Sequence, residues 1–593
     1  MRDPWMRGKI EVELKPKENL KRKIGRPSKS YEESAARTKR RKIKEMCDLV
    51  SAEQIERAAI RKVKKPVAKI VQQMIHSTVP EVSEFVNRAA REDVVPLTET
   101  EAVSLHIELG LSREQYIALR NLSKSRKADL FPPYYKVIDA KRLCYPDSAS
   151  IYVDENSASI NIQSLLDHTS KRLLQSLSYD EILKLPVDLT LLSKYGCDGA
   201  SGQSRYKQCL KVNEQDSIDD SKIFMCTLVP IRITDNSSKI AHWQNPCTGS
   251  PRYCRPISFK FAGECKERTV EEIRKLREQI ENLKATQITV GTRNFVVVHR
   301  LFLSMIDGKT CAYLTNTDSS TTCPICKAVP NEMNDVEKLS RKVVDDSVYE
   351  YGLSPLHAKI RCMEFVLHLA YNWSFKKWTA SVKEGNADLK KLTKERIQKE
   401  FRDKMGLLVD FVKPGSGTTN DGNTAIRFFA DPEQVAAITK IDEEVIGRLG
   451  TILQTMACGR DIDPDKFGSF AIDTYNMIVE RYSWYKMPWS VHRILMHGAE
   501  TIRRNIVPIG QLTEEAAEAR NKDFRKYREH HTRKYNRIAT NQDILNFLLV
   551  SSDPLISNMR PPVKKKHIPL PSEVTELLLI DDCNNAGGVV EDN

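Results

Sequence analysis

A mixed α/β core carrying a mainly helical insertion, preceded by a basic helical segment, is the architecture this sequence predicts. Three patterns predict it. Strand-like and amphipathic helical segments alternate between residues 191 and 320, most of 350–500 reads as helix broken by a polar loop from Pro414 to Gly422, and Lys/Arg residues concentrate near one end. At 593 residues the chain exceeds what one hydrophobic core organises, so several packed domains are expected.

The charge is unevenly placed. The net charge is +14, and between Lys15 and Lys69 there are 19 Lys/Arg against 7 Asp/Glu, so +12 of it sits in that segment. A cationic arm on a near-neutral body suits a polyanion, with nucleic acid the first candidate. Residues 1–19 carry no pattern and read as a disordered tail; 20–76 form the basic segment. Within it Lys21, Arg22 and Lys23, and then Lys39, Arg40, Arg41 and Lys42, have the layout of a bipartite nuclear import signal and serve equally as DNA contacts. Gly25-Arg26-Pro27 is an extended basic turn of the kind that fits a narrow minor groove. Tyr31 to Met46, which includes Arg37, and Ala52 to Met74 read as short basic helices. No secretory signal and no membrane span is expected. The fourteen Cys read as thiols and metal ligands in a reducing compartment, here the nucleus.

Residues 77–190 read as a helical linking or dimerisation region, with two helices in Leu97 to Ser125 and Ser112 capping the second. A core at 191–320 follows. Ser193 to Gly199 reads as a strand end entering a glycine turn, and Met225 to Thr234 as a strand in which Pro230 marks an edge or a bulge. Thr269 to Lys284 is an amphipathic helix with Val270, Ile273, Leu276, Ile280 and Leu283 on one stripe. Ile288 to Ile306 gives two strands joined at Gly291-Thr292-Arg293. A polar helix is expected from Thr513 to Asn536, within a last functional segment 511–545, and 546–593 read as a flexible tail.

Two constellations carry chemistry. Cys323-Pro324-Ile325-Cys326 is a metal knuckle, half of a tetrahedral site for which Zn²⁺ is the default ion. His492 and His497 are the best second half, with Cys311 and His357 as rivals. If the halves meet, one ion staples residues 321–510 back onto the core as an insertion. The second constellation is acidic. Asp198 and Asp307 each precede a glycine at an expected strand end, where carboxylates converge on a divalent cation or merely make Asp-Gly turns. Glu514, Glu515 or Glu518, on the late helix, can join them. The cations that follow, Arg520, Lys522, Arg525, Lys526, Arg528, Arg533 and Lys534, suit phosphates along that helix. Tyr482, Trp484, Tyr485 and Trp489 form an aromatic cluster able to stack on an unpaired base or to build core.

These residues, in this order, resemble the catalytic subunit family of the V(D)J recombinase and its relatives, the Transib transposases. Gly25-Arg26-Pro27 with the following basic helix looks like that family's nonamer-binding arm. Cys197-Asp198-Gly199 is similar to the setting of its first catalytic aspartate, and Asp307, ahead of Cys323-x-x-Cys326, takes the place of the second. Asp421-Gly422-Asn423-Thr424-Ala425 resembles a family segment inside the helical insertion, and His492 and His497 fall where the zinc histidines lie. Glu518-Ala519-Arg520-Asn521-Lys522 resembles the catalytic Glu-x-x-Asn-Lys and selects Glu518. The resemblance spans about residues 20–545. It implies an RNase H-like core, two Mg²⁺ or Mn²⁺ ions held by Asp198, Asp307 and Glu518, and one structural Zn²⁺. It also implies a homodimer that nicks double-stranded DNA at terminal inverted repeats and then transfers strands or forms hairpins, with room for an accessory subunit. The alternative is a domesticated DNA-binding protein that keeps the arm and the zinc clip without catalysis.

Overall fold

The structure, a computed structural model, describes residues 35–49, 54, 95–203, 220–317, 319, 321–381, 385–413, 417–561 and 569–579. The chain separates into two compact units, Met1–Val95 and Pro96–Asn593.

In the first unit helix α1 (Ala36–Leu49) forms where the basic helix was expected. It carries Arg37, Lys39, Arg40, Arg41 and Lys42, and the three arginines are exposed. Arg41 pairs with Glu45 one turn on at 3.4 Å, a solvent-exposed pair contributing only a few tenths of a kcal/mol. The arm residues Lys21, Arg22, Lys23, Gly25, Arg26 and Pro27 lie outside the described residues, as do the 1–19 tail and, residue 54 apart, the helix expected at 52–74.

The second unit opens with α2 (Glu99–Glu108), α3 (Arg113–Ser125) and α4 (Tyr134–Arg142). Thr98 and Ser112 close capping boxes with Glu101 and Gln115, satisfying the first free amides of α2 and α3. These helices bury Ala102, Val103, Tyr116, Val137 and Ala140 against Val550 and Ile556 from the far end of the chain.

The sheet starts earlier than expected. Strands β1 (Ile151–Val153) and β2 (Ser157–Ile160), then α5 (Ile162–Gln175) and α6 (Tyr179–Lys184), precede the long central strand β3 (Asp188–Ser201). There follow β4 (Lys222–Asp235), β5 (Ala241–Gln244), β6 (Arg255–Lys260), α7 (Lys266–Glu281), β7 (Thr286–Val290) and β8 (Arg293–Leu303). The strand order is β1-β2-β6-β4-β3-β8-β7, with β5 paired to β4. β3 and β8 are parallel, and the remaining pairs are antiparallel. The expected helix over Thr269 to Lys284 forms, with Ile273 and Leu276 buried and Val270 left at the surface. Pro230 sits opposite Ser193 beside a bulge at Leu192/Ser193. It is in a central strand, and the bulge absorbs the missing amide donor.

After β8, α8 (Gly308–Leu314) and α9 (Val336–Ser340) lead, among the described residues, into seven helices: α10 (Pro355–Asn372), α11 (Asn386–Met405), α12 (Gly422–Phe429), α13 (Pro432–Thr439), α14 (Glu443–Ala457), α15 (Pro464–Arg481) and α16 (Trp489–Arg504). Their core residues, among them Phe365, Leu449 and Ile494, join those of the sheet, such as Leu191, Met225 and Phe259, in one continuous apolar cluster. The mixed α/β prediction therefore holds, with sheet and helical region sharing a core.

Three expected boundaries shift. The 77–190 region is not wholly helical, because β1 and β2 extend the sheet. The 511–545 segment holds two helices, α17 (Glu515–His530) and the start of α18 (Arg537–Ser551), so the polar helix stops at His530. The tail from 546 is in large part packed structure: α18 runs on, α19 (Pro554–Met559) follows, and α20 (Ser572–Glu576) buries Val574. Burial fixes it. Leu548, Leu549 and Ile556 have no exposed surface, and Asp553, also fully buried, takes a two-pronged ion pair from Arg172 at 2.8 and 2.9 Å.

Candidate functional site

The site is built at the point where β8 ends. Lys194, Gly196 and Asp198 alternate along β3 and so share one face of the strand. Beyond Leu303 the chain turns across that face, with the Ser304 and Met305 amides both donating to the Tyr195 carbonyl at 3.2 Å. The crossing is so close that a Cβ on residue 196 would stand 1.9 Å from the Met305 carbonyl oxygen, so only glycine fits. Two residues further Asp307 emerges beside Asp198 and caps α8, its Oδ1 accepting the Thr310 amide at 2.7 Å.

The third carboxylate arrives from the far side of the helical region. The Leu512 carbonyl accepts from Ser304 Oγ at 3.2 Å, and the Thr513 carbonyl from Lys194 Nζ at 2.5 Å. These bonds tether the start of α17. Glu518 stands on its first turns, and Asn521, three residues later on the same face, donates to Asp198 Oδ2 at 2.7 Å. Burial, with the negative charges of Asp307, Glu518 and Glu264, pushes the Asp198 carboxyl up to about 7. Burial also raises Glu518 above the usual range, with Lys522 and His357 opposing. Asp198, Asp307 and Glu518 thus share one electrostatic neighbourhood, although 109 and 211 residues separate them in sequence.

Two strand-end readings need correction. Asp198 is not at the end of its strand: β3 continues to Ser201, and Gly199 is required because Glu264 Cβ lies 2.8 Å from where its own would be. Asp307 follows β8 by four residues, as a helix cap rather than a strand terminus.

Glu264 is the residue that sequence reasoning missed. It lies in the short connection between β6 and α7, bonded to Lys309 Nζ at 3.1 Å, and adds a fourth carboxylate to the cluster. No motif surrounds it, and only the pairing of β6 with β4 brings it beside Gly199.

Of the other glutamates on that helix start, Glu514 is buried and accepts from His357 Nδ1 at 2.5 Å, with the Ser354 hydroxyl as a second donor. Burial alone would lower His357; the hydrogen bond and charge of Glu514 outweigh it and raise the imidazole to about 9. His357, Asp307, Lys309 and Trp489 line a cleft of about 800 Å³. Of the four aromatics, Tyr482 and Tyr485 are buried in the core, and Trp484 packs on Trp373 and Tyr485. Trp489 is half-buried and lines the cleft.

The cations of α17 and of the turn after it also divide. Arg520 has no exposed surface and ties the helix to Ser551 and the Pro251 carbonyl, while Arg528 is buried against Phe261. Arg533 is engaged with Asp543. Lys522, Arg525 and Lys526 remain outward-facing.

The knuckle and the histidine pair do meet. Ligand atoms of Cys323, Cys326, His492 and His497 all lie within 4.8 Å of one another, and all four residues are buried. A tetrahedral ion with Zn–S and Zn–N bonds of about 2.0–2.3 Å asks for ligand separations of roughly 3.3–3.8 Å, and the Cys326 Sγ to His492 Nε2 distance is 3.3 Å. His497 Nε2 is buried without a hydrogen-bond partner, while its Nδ1 faces the Tyr349 hydroxyl at 3.4 Å. The Cys323 thiol, followed by His492 and His497, holds Cys326 far below the ordinary thiol range, as a thiolate ligand requires. This group can bind a metal ion and is compatible with zinc. The rival ligands are engaged elsewhere: Cys311 with Arg493, His357 with Glu514.

No family model matches the chain, and no curated protein matches it. Among the described residues no helix is long and apolar enough to cross a membrane.

Proposed function

We propose that this chain is a nuclear DNA recombinase or transposase with an RNase H-like core, in which Asp198, Asp307 and Glu518 hold two Mg²⁺ or Mn²⁺ ions. The observation that carries the reading is the gathering of Asp307, Glu518 and Glu264 about the buried Asp198, whose carboxyl is pushed up to about 7 by burial first and then by these negative charges. Like charges gathered in a partly buried place call for a cation, and an all-oxygen donor set suits hard divalent ions. The sheet supports it as well: β3, β4 and β6 form an antiparallel meander, a helix follows, and the later strand β8 returns parallel to β3.

When bound, the ions would supply Lewis-acid stabilisation of the attacking and leaving oxygens of a phosphodiester. The chain's own residues do the rest. Asn521 fixes the rotamer of Asp198, and Thr310 that of Asp307. Glu514 orients His357 so that a positive charge faces the cleft. Lys522, Arg525 and Lys526 offer phosphate contacts beside Glu518, and α1 with the basic arm supplies further DNA affinity. The zinc-type clip holds the helical insertion to the root from which Asp307 emerges. The proposed reaction is hydrolytic nicking at terminal inverted repeats, after which the freed 3′-hydroxyl attacks the opposite strand or a target duplex. The acting species is a homodimer, with or without an accessory subunit.

The test is a Mg²⁺- or Mn²⁺-dependent nicking assay on terminal-repeat DNA with the full chain. Asp307→Ala is expected to bind that DNA and leave it intact. Nicking by this variant at the wild-type rate would remove Asp307 from the site.

A further inference from the structure

Among the described residues Lys194 is the one lysine with no exposed surface at all. Burying an ammonium costs several kcal/mol unless its donors are well used, and a methionine would fill the same volume without that cost. The cost falls where the three carboxylate-bearing segments meet. Lys194 sits on β3 four residues before Asp198, and Gly196 between them is overlain by Met305 on the way to Asp307. Its ammonium donates to the Thr513 carbonyl at the head of the helix that carries Glu518. Ser304, from the crossing segment, holds the adjacent Leu512 carbonyl. Glu514 and Glu515, next along the chain, lie near enough to feel the charge.

We propose that Lys194 is a positioning residue for divalent-ion binding: it fixes the start of α17, and with it the approach of Glu518 to Asp198. A carbonyl acceptor suits this task. A carboxylate partner would neutralise the ammonium, whereas a carbonyl leaves its charge to offset the surrounding acids while the bond sets the position of the chain. The inference rests on the two-ion reading above, and its test separates the two.

Mn²⁺ is titrated into the zinc-loaded full chain and free Mn²⁺ is counted by electron paramagnetic resonance. Asp198→Ala serves as the control. Wild type is expected to bind Mn²⁺ and the control to lose it; binding untouched by Asp198→Ala refutes the metal-site reading itself. Lys194→Met is expected to weaken binding about tenfold or more, as loss of an outer-sphere partner does, with zinc content unchanged. Its nicking should return at high Mn²⁺, which a merely unfolded protein would not show. Wild-type Mn²⁺ affinity in a folded Lys194→Met overturns the proposal. If that variant fails to fold, Ser304→Ala, which cuts the neighbouring tether, replaces it: weakened binding supports the proposal and unchanged binding overturns it.

Discussion

Replacing Gly196 by alanine tests how the acids are brought together. The added Cβ would lie 1.9 Å from the Met305 carbonyl oxygen, 2.4 Å from its carbon and 2.8 Å from its Cβ. β3 has little room to retreat, being paired with β4 along nearly its whole length and with β8 as far as Tyr195, the residue before Gly196. The crossing segment must therefore lift by about 1.1 Å merely to reach the shortest contact real Cβ atoms show. Overpacking of this kind costs about 1–3 kcal/mol or somewhat more, enough to lower the melting temperature without abolishing the fold. The functional effect should be larger. Asp307 lies two residues beyond the obstruction, and a displacement of about 1 Å of a reacting group can cost about a hundredfold in rate. Melting by circular dichroism and nicking rate at fixed Mn²⁺ read the two effects separately. Wild-type nicking in a stable Gly196→Ala protein would refute the proposed crossing.

Other consequences follow from the same structure. Cys326→Ser should lower metal content from one zinc per chain to none by elemental analysis, and open residues 321–510 to protease, because the clip then has two neutral ligands and one thiolate. Arg172→Met strands the fully buried Asp553 without its partner and should destabilise the chain by about 3–5 kcal/mol in urea unfolding, with α18 and α19 losing protection first in hydrogen exchange. His357, raised to about 9 by Glu514, contributes stability that is fully present below about 6.5 and is lost as pH rises through 9. The loss is up to about 3 kcal/mol, and His357→Gln should flatten the stability profile between pH 7 and 9.

What the sequence disclosed follows from how local each signal is. Cys323-x-x-Cys326 was legible because two thiolates on one ion must lie in a tight turn, and the Ser112 and Gln115 capping box because its partners are three residues apart. Asp198 and Asp307 stood out through their glycines, but for a different reason than turn formation. Gly199 makes room for Glu264, and Trp489 lies over Gly308. Glu264 itself left no trace, since its neighbours come from strand pairing at long range. Lys194 left a faint one, a lone cation inside the apolar run LTLLSKYGC. The short strands β1 and β2 were hidden because three and four residues carry too little alternation to read, and SASI little strand-prone bulk; pairing orders them, β2 on β6 and β1 on β2. The packed tail could have been read: Asp553-Pro554 is a cap followed by proline at a helix start, directly after the apolar ILNFLLV.

The most direct measurement is anomalous X-ray scattering at the manganese edge from crystals of the full chain grown with Mn²⁺. The account predicts density bridged by oxygens of Asp198, Asp307 and Glu518, at about 2.0–2.3 Å from each ligand, and its loss in Asp198→Ala crystals. Manganese bound elsewhere, with those three side chains turned apart, would contradict it.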